Sequence, residues 1–576
     1  MTAIGPTLER LGVRRMLLAI HDASFPSERR EDLGRGSPAS HGADRLFGYA
    51  SSLGFTGIQL GPQGQTSHDN LSPYDGTIFS RNLATIALRS FREGGPYAGL
   101  VSEAALDAAV VGSGPPQHAH AQSAIRAIVG EAYANAPAAL RGRLGRFRRD
   151  HAAWLERDGL YAALFAARGT SFRHWPEADA QLWQPGNEIR RAQLLELHAE
   201  TIERYAFGQM LAHEEHGRVR NAAARHRLAL YGDLQVGYSD GDAWAYAPTF
   251  LRGYAMGAPP SRTNPEGQPW SYPVLDPDQY AGAARALVVA RLDKAFAEYD
   301  SVRIDHPHGL VCPWVYRTGT GDELAAVQQG ARLFESPDLP DHPELMRFAI
   351  ATAEQLDRSQ PRYADHWVRA LTQPQIDRYA VLFDAMIDCA TRHRRSTADI
   401  SCEVLSTLPR PLGYMLARFG LGRWRVTQKA NLADATDVYR TENAQPEDWV
   451  MIGNHDTPPI FALIRGFTPA VREQWARHLG ARLALRHPSR LASPGFLATA
   501  MLAELFASRA ENVSIFFADL FGYEDRFNAP GTYNDVNWTL RLPEAFEQLH
   551  RERLAKGEAI DIALAAELAL AARATA

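Results

Sequence analysis

Ser301-Val302-Arg303-Ile304-Asp305-His306-Pro307-His308-Gly309-Leu310 is the stretch on which the reading of this chain turns. A short β-branched run carries an arginine and ends in a carboxylate and a histidine. Buried charge at a strand end is costly unless it is paired or used in chemistry. Arg303 can hold Asp305 ionised, and an ionised carboxylate facing a pocket can act as a nucleophile. A lone aspartate there also reads as a helix N-cap or a loop-ordering acceptor. Two more segments bear on the choice: Asp399-Ile400-Ser401-Cys402-Glu403-Val404 and Trp449-Val450-Met451-Ile452-Gly453-Asn454-His455-Asp456. Each is another apolar run leading into a carboxylate. Three such runs in series point to one active site at one end of a barrel.

Working outward, short apolar or β-branched runs followed by polar or glycine residues predict eight strands. They are Arg15–Ile20, Gly57–Leu60, Leu228–Tyr231, Ser301–Ile304, Ile400–Cys402, Trp424–Thr427, Trp449–Ile452 and Val513–Phe517. Helical periodicity lies between most of them, as from Tyr280 to Tyr299. Eight strands alternating with helices predict an α/β fold, a (β/α)8 TIM barrel with large helical insertions over the C-terminal face of its strands. The barrel would be assembled from residues 1–61, 227–317 and 398–576. A mostly helical subdomain over 62–226 and a helical insertion over 318–397 would interrupt it, the latter helical from Glu344 to His393. The alanine-rich end, Glu547 to Ala574, predicts a closing helix.

Composition sets the outer limits. The 576 residues are 45% hydrophobic and 22% charged, ordinary for a soluble globular protein. A formal net charge of -5 gives no reason to expect nucleic acid as a partner. Three cysteines, Cys312, Cys389 and Cys402, are too few for a disulfide framework and lack metal-ligand spacing. With no signal-peptide pattern in Met1 to Arg15 and no membrane-length apolar run, a cytoplasmic protein is expected. The sequence leaves the oligomeric state open.

Several blocks resemble the amylomaltases, or 4-α-glucanotransferases, retaining enzymes of the α-amylase superfamily. Leu60-Gly61-Pro62 is followed by Ser72-Pro73-Tyr74 and Asn82. Tyr231-Gly232-Asp233-Leu234 precedes Ser239-Asp240-Gly241-Asp242-Ala243-Trp244-Ala245. Gly257-Ala258-Pro259-Pro260, Gly267-Gln268-Pro269-Trp270 and Arg526-Phe527-Asn528-Ala529-Pro530-Gly531 with Asn537-Trp538 are similar in the same order. The resemblance covers nearly the whole chain. It implies that Asp305 is the nucleophile, Glu403 the general acid/base and Asp456 the carboxylate that stabilises the transition state. Retaining chemistry needs the first two roughly 5–5.5 Å apart, with the acid in the drier or more anionic setting. The resemblance further implies substrate-binding roles for Ser72, Tyr74, Asp233, Trp270, Arg303, His455 and Asn537. Its substrates would be a malto-oligosaccharide or related α-glucan donor and a sugar acceptor. No cofactor and no metal are expected.

Other readings remain beside this one. Glu403 alone also reads as a structural partner of a barrel arginine. Tyr74, Trp244 and Trp270 suit sugar stacking, yet aromatics equally serve packing. His306-Pro307-His308 and His118-Ala119-His120 have a metal-ligand form, although neither follows the first strand. An α-glucan hydrolase and a silent glycan-binding homologue are the remaining alternatives. Glu31-Asp32-Leu33-Gly34 spells the family's acid/base tetrapeptide but sits in the first βα loop and is rejected.

The surroundings depart from the family pattern. The acid/base segment reads Glu403-Val404-Leu405-Ser406 where the family has Glu-Asp-Leu-Gly, which predicts altered hydrogen bonding around the acid. Pro307-His308, Ser261, Asn454 and Thr457-Pro458-Pro459 also differ. Gln428-Lys429-Ala430-Asn431 replaces aromatic residues, removing a platform on the acceptor side. Asp305 and Glu403 lie 98 positions apart, about fifty more than the resemblance implies, so an insertion on the catalytic side is expected.

Overall fold

A computed structural model describes residues 4–575 apart from 68–70, 113, 263, 533 and 535. Twelve strands are present among the described residues. In chain order they are β1 (Arg15–Ile20), β2 (Gly57–Leu60), β3 (Ala229–Leu234), β4 (Phe250–Ala258), β5 (Gln268–Leu275), β6 (Ser301–Ile304), β7 (Trp314–Arg317), β8 (Ala331–Arg332), β9 (Ile400–Cys402), β10 (Trp424–Val426), β11 (Trp449–Met451) and β12 (Asn512–Phe516).

Eight of these form one parallel sheet in the order β10-β11-β12-β1-β2-β3-β6-β9. Its two edges meet: the Trp424 N–H donates to the Val404 carbonyl at 3.2 Å, and the Trp424 indole N–H donates to Ser401 Oγ at 2.7 Å. The sheet is therefore a nearly closed barrel surrounded by helices. Its strands are buried on both faces, which is why they read as continuous apolar runs. Leu17, Tyr231, Trp424, Trp449 and Met451 share one cluster inside the barrel. Met16, Leu18 and Ile20 alternate with Leu17 and pack outward on the helices.

The other four strands form an antiparallel sheet in the order β5-β4-β7-β8, which the sequence did not predict. It follows the third barrel strand and flanks the Asp305 segment, with β7 beginning nine residues after Asp305. Between β2 and β3 the longest helices are His118–Ala134, Ala152–Arg168 and Ala199–Arg225. The segment expected to be helical from Glu344 to His393 is helical only at its ends. Short 3-10 turns occupy Pro343–Phe348 and Ala353–Gln355, and α-helices occupy Gln373–Tyr379 and Val381–Arg392. Between them Ala351, Leu356, Trp367 and Val368 make a small apolar cluster of their own. The C-terminal region is two helices, Phe546–Lys556 and Ile562–Thr575, rather than one. Gly557, at φ +70°, turns the chain between them.

All three cysteines are buried and unpaired. Among the described residues, no helix is long and apolar enough to cross a membrane.

Candidate active site

Register brings the first two carboxylates together. β6 and β9 pair in parallel with Ile304 opposite Cys402. Asp305 and Glu403 are the next residues of each strand, so they leave the sheet side by side at the end where its strands terminate. The Glu403 N–H still donates to the Ile304 carbonyl at 3.0 Å, extending the ladder to Glu403 itself. Carboxylate oxygens of the two residues lie within 4.8 Å of each other.

Arg303, one residue before the end of β6, holds the cluster. Its Nη1 donates to both oxygens of Asp233, at 2.5 and 2.6 Å. Its Nη2 donates to Asp305 Oδ1 at 3.0 Å and lies 2.6 Å from Glu403 Oε2. The guanidinium sits 4.8 Å from the Trp424 ring and 5.7 Å from the Tyr74 ring. Burial alone would lower its pKa. The charges of Asp233 and Glu403, with Tyr74 and Asp305, outweigh burial and hold it well above the ordinary value. Burial pushes Asp233 upward against the pull of Arg303. Three carboxylates thus share one cation, and the fully ionised cluster carries excess negative charge.

Asp305 is fixed from both sides: while Oδ1 meets Arg303, Oδ2 accepts the Val236 N–H at 3.1 Å. His306 follows with φ +40°, a strained value for a non-glycine residue. This turns its ring under Trp270, with centroids 5.0 Å apart, and places Nε2 3.9 Å from Glu403 Oε2. Asp305, His306 and Glu403 have the spacing of a metal-ligand set. Arg303 already contacts both carboxylates of that set. His308 turns away to the Thr407 carbonyl, and His118 and His120 each meet a backbone carbonyl.

Asp456 stands five residues past β11, on the outer rim, with its side chain 35% exposed. Asn528 Nδ2 donates to its Oδ1 at 2.7 Å, and Arg526 donates to its backbone carbonyl. His455 lies 3.5 Å from Asp456 Oδ2 and stacks on Tyr74 at 5.1 Å and 15°. The Tyr74 hydroxyl donates to Asp233 Oδ2 at 2.9 Å. Ser72 accepts the Tyr74 N–H and so sets the turn that aims the tyrosine inward. Asn537 has a different placement. Its Oδ1 accepts the Ala529 N–H and its Nδ2 donates to the Thr532 carbonyl, so both ends of its amide order the loop beside Asn528.

The remaining candidates separate cleanly. Trp244 is fully buried, donates to the Asp179 carbonyl and packs on Trp175 and Trp183 inside the helical subdomain. Glu31 caps the helix His41–Ser52 by accepting the N–H groups of His41 and Gly42. Val404 packs in the apolar core, so Glu403 has a hydrophobic neighbour where the family pattern has a carboxylate.

A sequence profile of the 4-alpha-glucanotransferase family matches residues 20–547. The chain belongs to this family. The 4-alpha-glucanotransferase of Mycobacterium tuberculosis is 31% identical over 181 residues, which is 31% of this chain and 24% of that protein. The one from Haemophilus influenzae is 31% identical over 136 residues, 23% of this chain and 20% of that protein. Both alignments thus span a quarter or less of the relatives' own length. The amylomaltase of Streptococcus agalactiae, solved in complex with acarbose, superposes with TM-score 0.73 at 16% identity, covering 95% of this chain and all of that one. Amylomaltase from Corynebacterium glutamicum gives 0.65 at 16% identity, with 96% and 77% covered. These likenesses establish the fold.

Within this family frame, sequence reasoning passed over three residues. His21 is the first residue after β1, the position that singled out Asp305 and Glu403. Its ring is buried among Tyr74, His455, Phe527 and Trp538. Burial, then the charges of His455 and Arg303, hold its pKa well below the usual histidine range. Gly61 makes room for it, since a Cβ there would come within 2.1 Å of the ring. Asn528, quoted only as part of a block, is the residue that orients Asp456. Lys429, noted only as a departure, stands on the turn after β10, where the charges of Asp456 and Glu403 act on it.

Proposed function

We propose that the protein is a 4-α-glucanotransferase that moves α-1,4-glucan segments between a malto-oligosaccharide donor and a sugar acceptor. Asp305 attacks the anomeric carbon and forms a covalent glycosyl-enzyme, while Glu403 gives a proton to the leaving oxygen. In the second half-reaction the acceptor hydroxyl loses its proton to Glu403 and displaces Asp305. Asp456 faces the same space from β11 and stabilises the positive charge that develops on the sugar ring. Arg303 keeps the nucleophile in place, with Asp233 and Tyr74 buttressing Arg303. Trp270, His306 and His455 offer ring faces and ring nitrogens to sugar.

The observation that carries this reading is the pairing of Asp305 and Glu403 on one guanidinium, with oxygens within 4.8 Å. That spacing supports retention, because an inverting pair stands about 6.5–9.5 Å apart to admit water between them. The carboxylates and Arg303 account for every step, so no cofactor is invoked. Three unpaired, buried cysteines support a reducing, cytoplasmic setting.

The test is a product profile from maltotriose, by chromatography or mass spectrometry, with and without glucose. A ladder of shorter and longer oligosaccharides, responsive to glucose, is expected. Glucose and maltose alone would make the protein a hydrolase, and unchanged maltotriose would overturn the reading for this substrate class.

A further inference from the structure

Strand order places the residue leaving β10 between the two strands that carry Glu403 and Asp456. β10 pairs with β11 on one side and meets the end of β9 through Trp424 and Val404 on the other. The 3-10 turn Thr427–Lys429 follows β10 there, and the charges of Asp456 and Glu403 act on Lys429 at its end. The turn is held firmly: the Gln428 N–H donates to the Ile452 carbonyl, and the Gln428 side chain donates to the Pro458 carbonyl at 3.1 Å. Lys429 is therefore presented from a fixed base.

Its ammonium has no hydrogen bond and no ion pair within 4.0 Å among the described residues. The nearby acids are already engaged, Glu403 by Arg303 at 2.6 Å and Asp456 by Asn528 at 2.7 Å. Asp456 and Glu403 act on Lys429 at longer range, alongside Arg526 and Arg262. Arg526 spends its donors on the backbone carbonyls of Asn528 and Asp456, so its charge is not cancelled by a carboxylate. Arg262, half exposed, pairs with Asp437. A half-buried ammonium with no ion-pair partner among the described residues gains from a counter-charge. Beside a sugar cleft it suits a ligand that brings its own negative charge.

We propose that Lys429 is a specificity-determining residue that recognises an anionic substituent, phosphate or carboxylate, on the acceptor sugar. The inference rests on the transferase reading above and adds the class of acceptor. A hydroxyl of the anionic sugar attacks C1 of the glycosyl-enzyme. The new C1–O bond forms as the bond to Asp305 breaks, Asp305 leaves as a carboxylate, and the hydroxyl proton passes to Glu403. The anionic group takes no part in bond making; it docks on Lys429, with Arg526 at the same rim.

The experiment compares glucose, glucose 6-phosphate and glucuronate as acceptors for a maltotriose donor, using the full chain and Lys429→Met. For at least one anionic sugar, kcat/KM relative to glucose should fall about ten- to a hundredfold in the variant, the range expected for one lost charge-assisted hydrogen bond. The phosphate and uronate arms show which anion is preferred. Equal ratios in both proteins, or transfer to glucose with none to either anion, would overturn the proposal. Calorimetric binding of the same three sugars to Asp305→Asn with and without Lys429→Met reads recognition without turnover. There, loss of anion binding supports the inference even if the transferase reading fails, and unchanged binding rejects it.

Discussion

Two arginines are buried to the same degree, each with its side chain 1% exposed, yet they sit in opposite circumstances. Arg303, at the mouth of the barrel, touches three carboxylates and lies near two aromatic rings. Arg332, on β8 of the second sheet, donates to the Tyr363 carbonyl at 2.8 Å and meets a single carboxylate, Glu335, at 3.5 Å through Nε without a hydrogen bond. Burial, opposed by Arg332 and helped by Asp365, raises Glu335 to about 7. A buried ion pair is therefore not in itself a sign of chemistry. What marks Arg303 is the convergence on it of side chains from β3, β6 and β9, all at the end of the barrel where strands terminate.

The contrast is broken most directly at Asp305. Asp305→Asn keeps the acceptor for Arg303 but removes the proposed nucleophile. Turnover should fall by about 10^4-fold or more, as for loss of other nucleophiles, while thermal unfolding stays close to that of the unaltered chain. Near-normal activity would remove Asp305 from the mechanism and make the Arg303 cluster structural, like Arg332 and Glu335.

Removing the arginines themselves sharpens the comparison. Arg303→Met strands three buried carboxylates and should destabilise the fold by about 3–5 kcal/mol, read from urea unfolding. Arg332→Met leaves one carboxyl that can remain protonated, so its cost should be clearly smaller. Equal losses would mean that both arginines do the same work.

The barrel was legible because strands buried on both faces read as unbroken apolar runs, and all eight were found within a few residues at their ends. The second sheet was hidden. β4 begins Phe250-Leu251-Arg252-Gly253 with exposed positions, and β5 contains Pro269 and Pro273, which argue against a strand. The segment between Ala349 and Thr372 holds neither helix nor strand apart from a short 3-10 turn, although the stretch from Glu344 to His393 reads as helical. At the site, Asp305 and Glu403 stood out as the first residues past apolar runs. Asp456, five residues beyond its strand, was picked out by the third apolar run, but its separate role came only from the family resemblance. Asn537 shows the limit of that resemblance: a motif position conveys identity, not the direction in which an amide is spent.

The smallest expected effect tests the other half of the comparison. Because burial raises Glu335 above its unfolded value, the folded state binds this proton more tightly than the unfolded chain does. Its contribution to stability is complete below the unfolded pKa, near 4.5, and is lost as pH rises through about 7. Over that window it should make stability fall by up to about 1.4 kcal/mol per pH unit. Glu335→Gln removes the titration while keeping shape. Asp519, likewise pushed to about 7 by burial, remains in the variant and continues to contribute a slope of the same sign. The informative quantity is thus the difference between the two urea-unfolding series across about pH 5 to 7. A shallower decline in Glu335→Gln is expected. Parallel curves would mean that Glu335 is ionised throughout, that Arg332 holds it as firmly as Arg303 holds its partners, and that pairing strength does not distinguish the two sites.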